Sequence, residues 1–318
     1  MIASRLVVFA MLVLSWTAQA VQLPDYRHVQ GISGNLSSAG SDSLAGIVTA
    51  WAEEFSALYP SVNVQVQASG SSTAVPALTE GTAQFGPMSR EMQPSEVAAF
   101  ERNYGYSPTE LVVALDALGV FVHQDNPIQG LNFVELDAIF SVTYFCGTNR
   151  HIETWSDLGI LQPWGKLKIQ KFGRNPVSGT YGVFKSTVLC GGDFDNSVNE
   201  MLGGTSVVQA VASSVSSIGY SGVASKAMGT RLVPIAKYDE DYVQPTSQNI
   251  ISGKYPLSRK LYVYVNKQPN KPLPIKQREF IRFIYSKQGQ HAVAREGYIP
   301  ISATFAKKEL AKVGLTLK

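Results

Sequence analysis

Twice along this 318-residue chain a strand runs through a turn rich in serine and glycine straight into a helix, and that order limits the fold to the α/β class. In the first instance Val62, Val64 and Val66 alternate with polar residues, the pattern of a half-buried strand. Ser69-Gly70-Ser71-Ser72 then leads into a short helix over 73–80, with Gly81 as its C-terminal stop. In the second, a strand over 168–172 enters Gly173-Arg174-Asn175-Pro176-Val177-Ser178-Gly179-Thr180. A helix follows over 181–189, with Val183, Phe184 and Val188 as its apolar contacts. A further helix over 206–217 precedes a strand over 218–221.

An amphipathic helix is expected over 43–59, because Leu44, Ile47, Val48, Trp51, Phe55 and Leu58 share one stripe and Pro60 ends it. Two long apolar strands, over 111–123 and 260–266, are the candidate connections between two lobes. On that reading residues 21–115 and 258–318 form one lobe and 116–257 the other, a division suited to a chain roughly twice a common domain size. Amphipathic helices over 277–286 and 289–296 close the chain.

Arg5, the apolar run Leu6 to Leu14 and Ala18-Gln19-Ala20 predict a signal peptide over 1–20, cleaved after Ala20. No later stretch is long and apolar enough for a membrane anchor, so the mature chain is expected to be soluble and periplasmic. The net charge of +3 comes without a long basic run, which argues against nucleic acid as a partner. Cys146 and Cys190 form an even pair in an oxidising compartment. A disulfide between them is expected, worth about 4 kcal/mol by chain entropy; the alternative is two buried thiols.

Catalytic signatures do not emerge. There is no GxSxG, HExxH, phosphate loop or GxGxxG, the four histidines are scattered, and neither a metal nor a cofactor is expected. What recurs instead is the small-hydroxyl turn that opens a helix: Gly40-Ser41-Asp42-Ser43, Gly70-Ser71-Ser72-Thr73 and Ser178-Gly179-Thr180. Singly, each is an ordinary cap. Together their free N–H groups and hydroxyls can replace the hydration shell of an anion, and Arg174 on the third turn adds a charged fork suited to an oxyanion.

These motifs, with Phe85-Gly86-Pro87-Met88-Ser89-Arg90, Ile218-Gly219-Tyr220, Gly289-Gln290 and Gly297-Tyr298-Ile299-Pro300, resemble the periplasmic phosphate-binding proteins of ABC-type uptake systems. The resemblance implies a type II periplasmic binding protein fold, two α/β lobes with mixed sheets flanked by helices and joined by two crossing strands. It also implies capture of inorganic phosphate, delivery to ABC permease subunits, and action as a monomer without enzymatic activity. Carried over by position, Ser41, Asp42, Ser43, Ser71, Ser72, Ser89, Arg90, Arg174, Ser178, Gly179 and Thr180 are the expected phosphate-binding residues. In better-known members of the family an aspartate after the second helix accepts the proton of monohydrogen phosphate; here Ser89 stands there, followed by Arg90. Asp42 is therefore expected to be the acceptor, and Arg90 a second cation beside Ser89. The alternatives are a secreted phosphoesterase, or an adhesion or signalling protein, on the same scaffold.

Overall fold

The strand, turn and helix units assemble around β-sheets in the computed structural model, which describes residues 22–317 apart from 148, 149 and 162. The expected leader over 1–20 lies outside the described residues. β1 (Gly34–Ala39) pairs in parallel with β2 (Val62–Gln67), with α1 (Ala45–Leu58) between them in sequence. Ile47, Val48, Trp51 and Phe55 are buried along the predicted stripe, each worth about 1.5–3 kcal/mol. Leu58, the last residue of α1, departs from it at 39% exposure.

A 3-10 turn over Ser71–Thr73 opens α2 (Ala74–Thr79), followed by β3 (Gly86–Met88), α3 (Pro94–Tyr104) and the 15-residue β4 (Thr109–His123). Next come β5 (Leu131–Asn132), α4 (Phe133–Phe140), β6 (Gln170–Arg174), α5 (Gly179–Thr187), β7 (Asn199–Met201) and α6 (Gly204–Ala212). β8 (Ser217–Gly222), β9 (Thr230–Leu232), β10 (Ile235–Ala236) and α7 (Ser247–Ile251) lead to β11 (Ser258–Val265), and α8 (Ile275–Ile284), α9 (Lys287–Arg295) and α10 (Ala303–Lys312) end the chain.

The two strands expected to cross between lobes, β4 and β11, are antiparallel partners within one mixed sheet of order β3-β11-β4-β8-β6-β7, with β9 also on β4. Two hydrophobic clusters lie along it. One gathers α1, α8 and α9 residues such as Trp51, Phe55, Phe280 and Phe283, together with Leu111, Val113 and Leu261. The other gathers Phe140, Trp155, Phe184 and Tyr220 with Ala117, Val120 and Leu257. β4 thus leaves the first core after Ala114 and enters the second at Ala117, which is why its apolar run is so long.

Cys146 and Cys190 are disulfide-bonded, with Cα atoms 5.4 Å apart. The bond ties the chain just beyond α5 to the loop after α4, and the Cys146 amide donates to Asp137 Oδ2 at 2.8 Å. Four helices carried no assignment in the sequence reading: α3, α4, α7 and α10. α4 has a legible start, a reciprocal capping box between Asn132 and Glu135. α3 begins on Gln93, a side chain rarely chosen to cap, although Glu96 completes its box and Pro94 fits the first turn.

Candidate functional site

Three strand-to-helix turns converge where the two cores face each other. Backbone hydrogen bonds pin the first turn to its neighbours: Gly40 N donates to Gln67 O at 3.0 Å, Ser41 N to Pro87 O at 2.7 Å, and Gly70 N to Gly40 O at 2.9 Å. Ser41 Oγ then donates to Ser89 Oγ at 3.1 Å, and Ser89 N donates to Ser71 Oγ at 3.0 Å. Ser71 and Ser89 hydroxyls are 3.3 Å apart, and all three serines are buried.

The opposite wall is the N-terminus of α5. Ser178 caps it, its Oγ accepting from Thr180 N at 3.2 Å, so the hydroxyl proton of Ser178 remains free to donate outward. The helix dipole adds a partial positive charge at the same end. The walls meet directly: Ser43 Oγ lies 3.3 Å from Thr180 Oγ1, and Ser72 N donates to Val177 O at 3.2 Å. A Cβ on Gly179 would fall 2.4 Å from Ser71 Oγ and 2.5 Å from Ser89 Oγ, so only glycine lets α5 approach this closely.

Arg174, at the end of β6, is 1% exposed and forms an ion pair with Asp42 through its Nη2 and Asp42 Oδ2. The same Nη2 donates to Leu202 O at 2.8 Å, and Nε reaches Met201 O at 3.4 Å. Among the described residues, Arg174 Nη1 and Asp42 Oδ1 are buried without a hydrogen-bond partner. Such orphaned groups are costly unless something else satisfies them. The pair therefore keeps one charged donor and one charged acceptor uncommitted, on the loop that also carries Ser41 and Ser43 and on the strand that leads to the Ser178 turn.

Of the eleven predicted residues, the structure brings together Ser41, Asp42, Ser43, Ser71, Ser89, Arg174, Ser178, Gly179 and Thr180. The other two, Arg90 and Ser72, bond to each other and, through Arg90, to α3. Arg90 is held bidentately by Glu96, both N···O distances being 2.7 Å, and also donates to Ser72 Oγ at 3.2 Å and Glu91 O at 2.9 Å. Its charge is neutralised there, and the Ser72 hydroxyl turns with it. The capping box that starts α3 places Glu96 within reach, a local pairing the motif comparison could not register.

Sequence reading missed Arg259 and Asp116. Arg259 Nε and Nη2 grip Asp116 Oδ2 at 2.9 and 2.6 Å, while Nη1 donates to Thr180 Oγ1 at 2.9 Å and to Ser89 O at 3.2 Å. Burial raises the Asp116 carboxyl above the usual carboxylate range, and the Arg259 guanidinium opposes that shift. The signal was a lone carboxylate inside the apolar run of β4, a position that demands a partner.

The chain is similar to known proteins over most of its length. The PBP superfamily domain matches residues 27–288. The phosphate-binding protein PstS of Pseudomonas aeruginosa strain PAO1 is 54% identical over 294 residues, which span 92% of this chain and 91% of that protein. Among solved structures, a putative phosphate ABC transporter substrate-binding protein from Clostridium perfringens, crystallised with bound phosphate, is 25% identical with a TM-score of 0.70, over 85% of this chain and all of that one. A possible phosphate-binding protein from Planctomyces limnophilus is 27% identical with a TM-score of 0.64, over 89% of this chain and 98% of that one.

Proposed function

The chain belongs to the PBP superfamily, and from that premise we propose that it captures inorganic phosphate in the periplasm and delivers it to an ABC permease. The observation that carries this reading is the half-satisfied pair: Arg174 Nη1 and Asp42 Oδ1, unpartnered among the described residues, at the meeting of two hydroxyl-lined walls. We take the lobes to be 21–115 with 258–318, and 116–257, closing on the ligand along β4 and β11.

In this reading each site residue has a task set by its protons. Arg174 Nη1 donates to a phosphate oxygen, a charge-assisted bond that replaces hydration lost on burial. Ser71 and Ser178 each accept from a backbone N–H, so each has a proton left for the anion. The free amides at the start of α5 add donors. Asp42 Oδ1 accepts the proton that phosphate carries near neutral pH. Sulfate has none, so its oxygen would face the carboxylate unpaired, a difference of about 1–3 kcal/mol or more.

A binder is favoured over a hydrolase because, among the described residues, no histidine or lysine hydrogen-bonds to a site hydroxyl. Such a base is a common means of activating a hydroxyl nucleophile. Export fits the leader motif in the sequence, and among the described residues no helix is long and apolar enough to cross a membrane. Calorimetric titration with phosphate, arsenate, sulfate and molybdate tests the proposal. Phosphate and arsenate should bind and the unprotonated dianions should not; equal binding of sulfate would overturn it. A chromogenic phosphate ester should release no product.

A further inference from the structure

One buried cation near the site belongs to none of the three binding turns. Arg259 of β11 stands in register with Asp116 of β4. Both occupy the points where the strands pass from one core to the other: Asp116 between Ala114 of the first cluster and Ala117 of the second, Arg259 between Leu257 of the second and Leu261 of the first. Gly222 of β8 leaves room for the pair, since a Cβ there would lie 3.2 Å from Arg259 Nη2 and 3.3 Å from Asp116 Oδ2. With two of its nitrogens committed to Asp116, the guanidinium extends the third to the Ser89 carbonyl on one side and the Thr180 hydroxyl on the other.

We propose that Arg259 is a positioning residue for oxyanion capture: braced by Asp116, it aims the Thr180 hydroxyl at the ligand and locks α5 against the loop after β3. The inference rests on the capture reading above and adds a residue to it. An arginine only donates, so the Thr180 oxygen accepts and its single proton points away from Arg259, left for another acceptor such as an oxyanion or Ser43 Oγ, 3.3 Å away. Without Arg259 that hydroxyl is free to rotate, and the buried Ser89 carbonyl loses its side-chain donor. Because Asp116 and Arg259 sit on the connecting strands, the contact to Thr180 forms only when the second wall is seated, which links closure to a filled site.

The test is calorimetric phosphate titration, with small-angle scattering as the readout of closure. It compares the wild type with Arg259→Lys, Arg259→Gln, Thr180→Val and the Arg259→Gln/Thr180→Val double variant. Arg259→Gln and Thr180→Val should each weaken phosphate binding about tenfold or more, and the double variant should be little worse than either. Arg259→Lys keeps the charge without the planar fork, so it should retain the melting temperature yet bind more weakly than the wild type. Wild-type affinity in Arg259→Lys, or losses that multiply in the double variant, would overturn the inference and leave a purely structural ion pair. A wild-type protein that binds no oxyanion would instead sink the capture reading itself.

Discussion

Asp42 and Arg174 meet along one edge only: Oδ2 is bonded to Nη2, while Oδ1 and Nη1, both buried, have no partner among the described residues. An unpartnered acceptor and an unpartnered donor in one buried ion pair suit a protonated oxyanion. Asp42→Asn should lower phosphate affinity by roughly ten- to a hundredfold and narrow the gap to sulfate. Calorimetry with both anions checks this; unchanged discrimination would return Asp42 to the role of a loop anchor.

Arg174→Ala removes the charge from a buried pair, and losses of this kind run to about 3–5 kcal/mol, or roughly a hundred- to several-thousandfold in affinity. It also strips donors from the Met201 and Leu202 carbonyls, so the melting temperature should fall with it. Phosphate binding at wild-type strength in this variant would remove Arg174 from the site.

Gly179→Ala would force a methyl group to within 2.4 Å of Ser71 Oγ and 2.5 Å of Ser89 Oγ, across the gap between the walls. Both neighbours are buried, so relief comes by parting the walls. The variant should fold and lose phosphate binding by at least about tenfold, with a scattering profile more open than that of the wild type.

Replacing Cys146 and Cys190 together by serine opens a loop with 44 residues of separation, and the chain-entropy model puts the loss at about 4 kcal/mol. Denaturant unfolding should show it. Phosphate affinity should change far less, since the disulfide lies beyond the C-terminal end of α5 and the site at its N-terminus.

Asp195 provides a pH signature. Burial pushes its carboxyl up, but hydrogen bonds from Lys171 Nζ, at 2.5 Å, and from the Ser197 amide outweigh burial and hold it below the ordinary carboxylate value. A depressed folded value contributes stability above the unfolded pKa, near 4, and loses it as pH falls through the folded value. Asp195→Asn should therefore be about 2 kcal/mol less stable than the wild type at neutral pH, with the gap closing below about pH 4. Urea unfolding across pH measures it; a gap that widened on acidification would contradict the assignment.

Local physics made much of this chain readable from residues alone. The alternation of Val62, Val64 and Val66, the apolar run of β4 and the Ser178-Gly179-Thr180 turn each encode their own conformation, because the backbone responds to nearest neighbours and to the period of burial. The anion-binding character proposed for the turns was legible for the same reason: a helix N-terminus exposes its donors wherever it lies.

Which turns face one another was decided only by the tertiary fold, since that depends on strand order, and contacts such as Ser43 to Thr180 span 137 positions. Charge pairing went the same way. Arg90 and Arg174 are indistinguishable as sequence letters, yet Glu96 neutralises the first while Asp42 leaves the second half free. Arg259 became visible only when β11 lay beside β4, because pairing of charges acts through space and falls off within a few ångströms, whatever their separation along the chain.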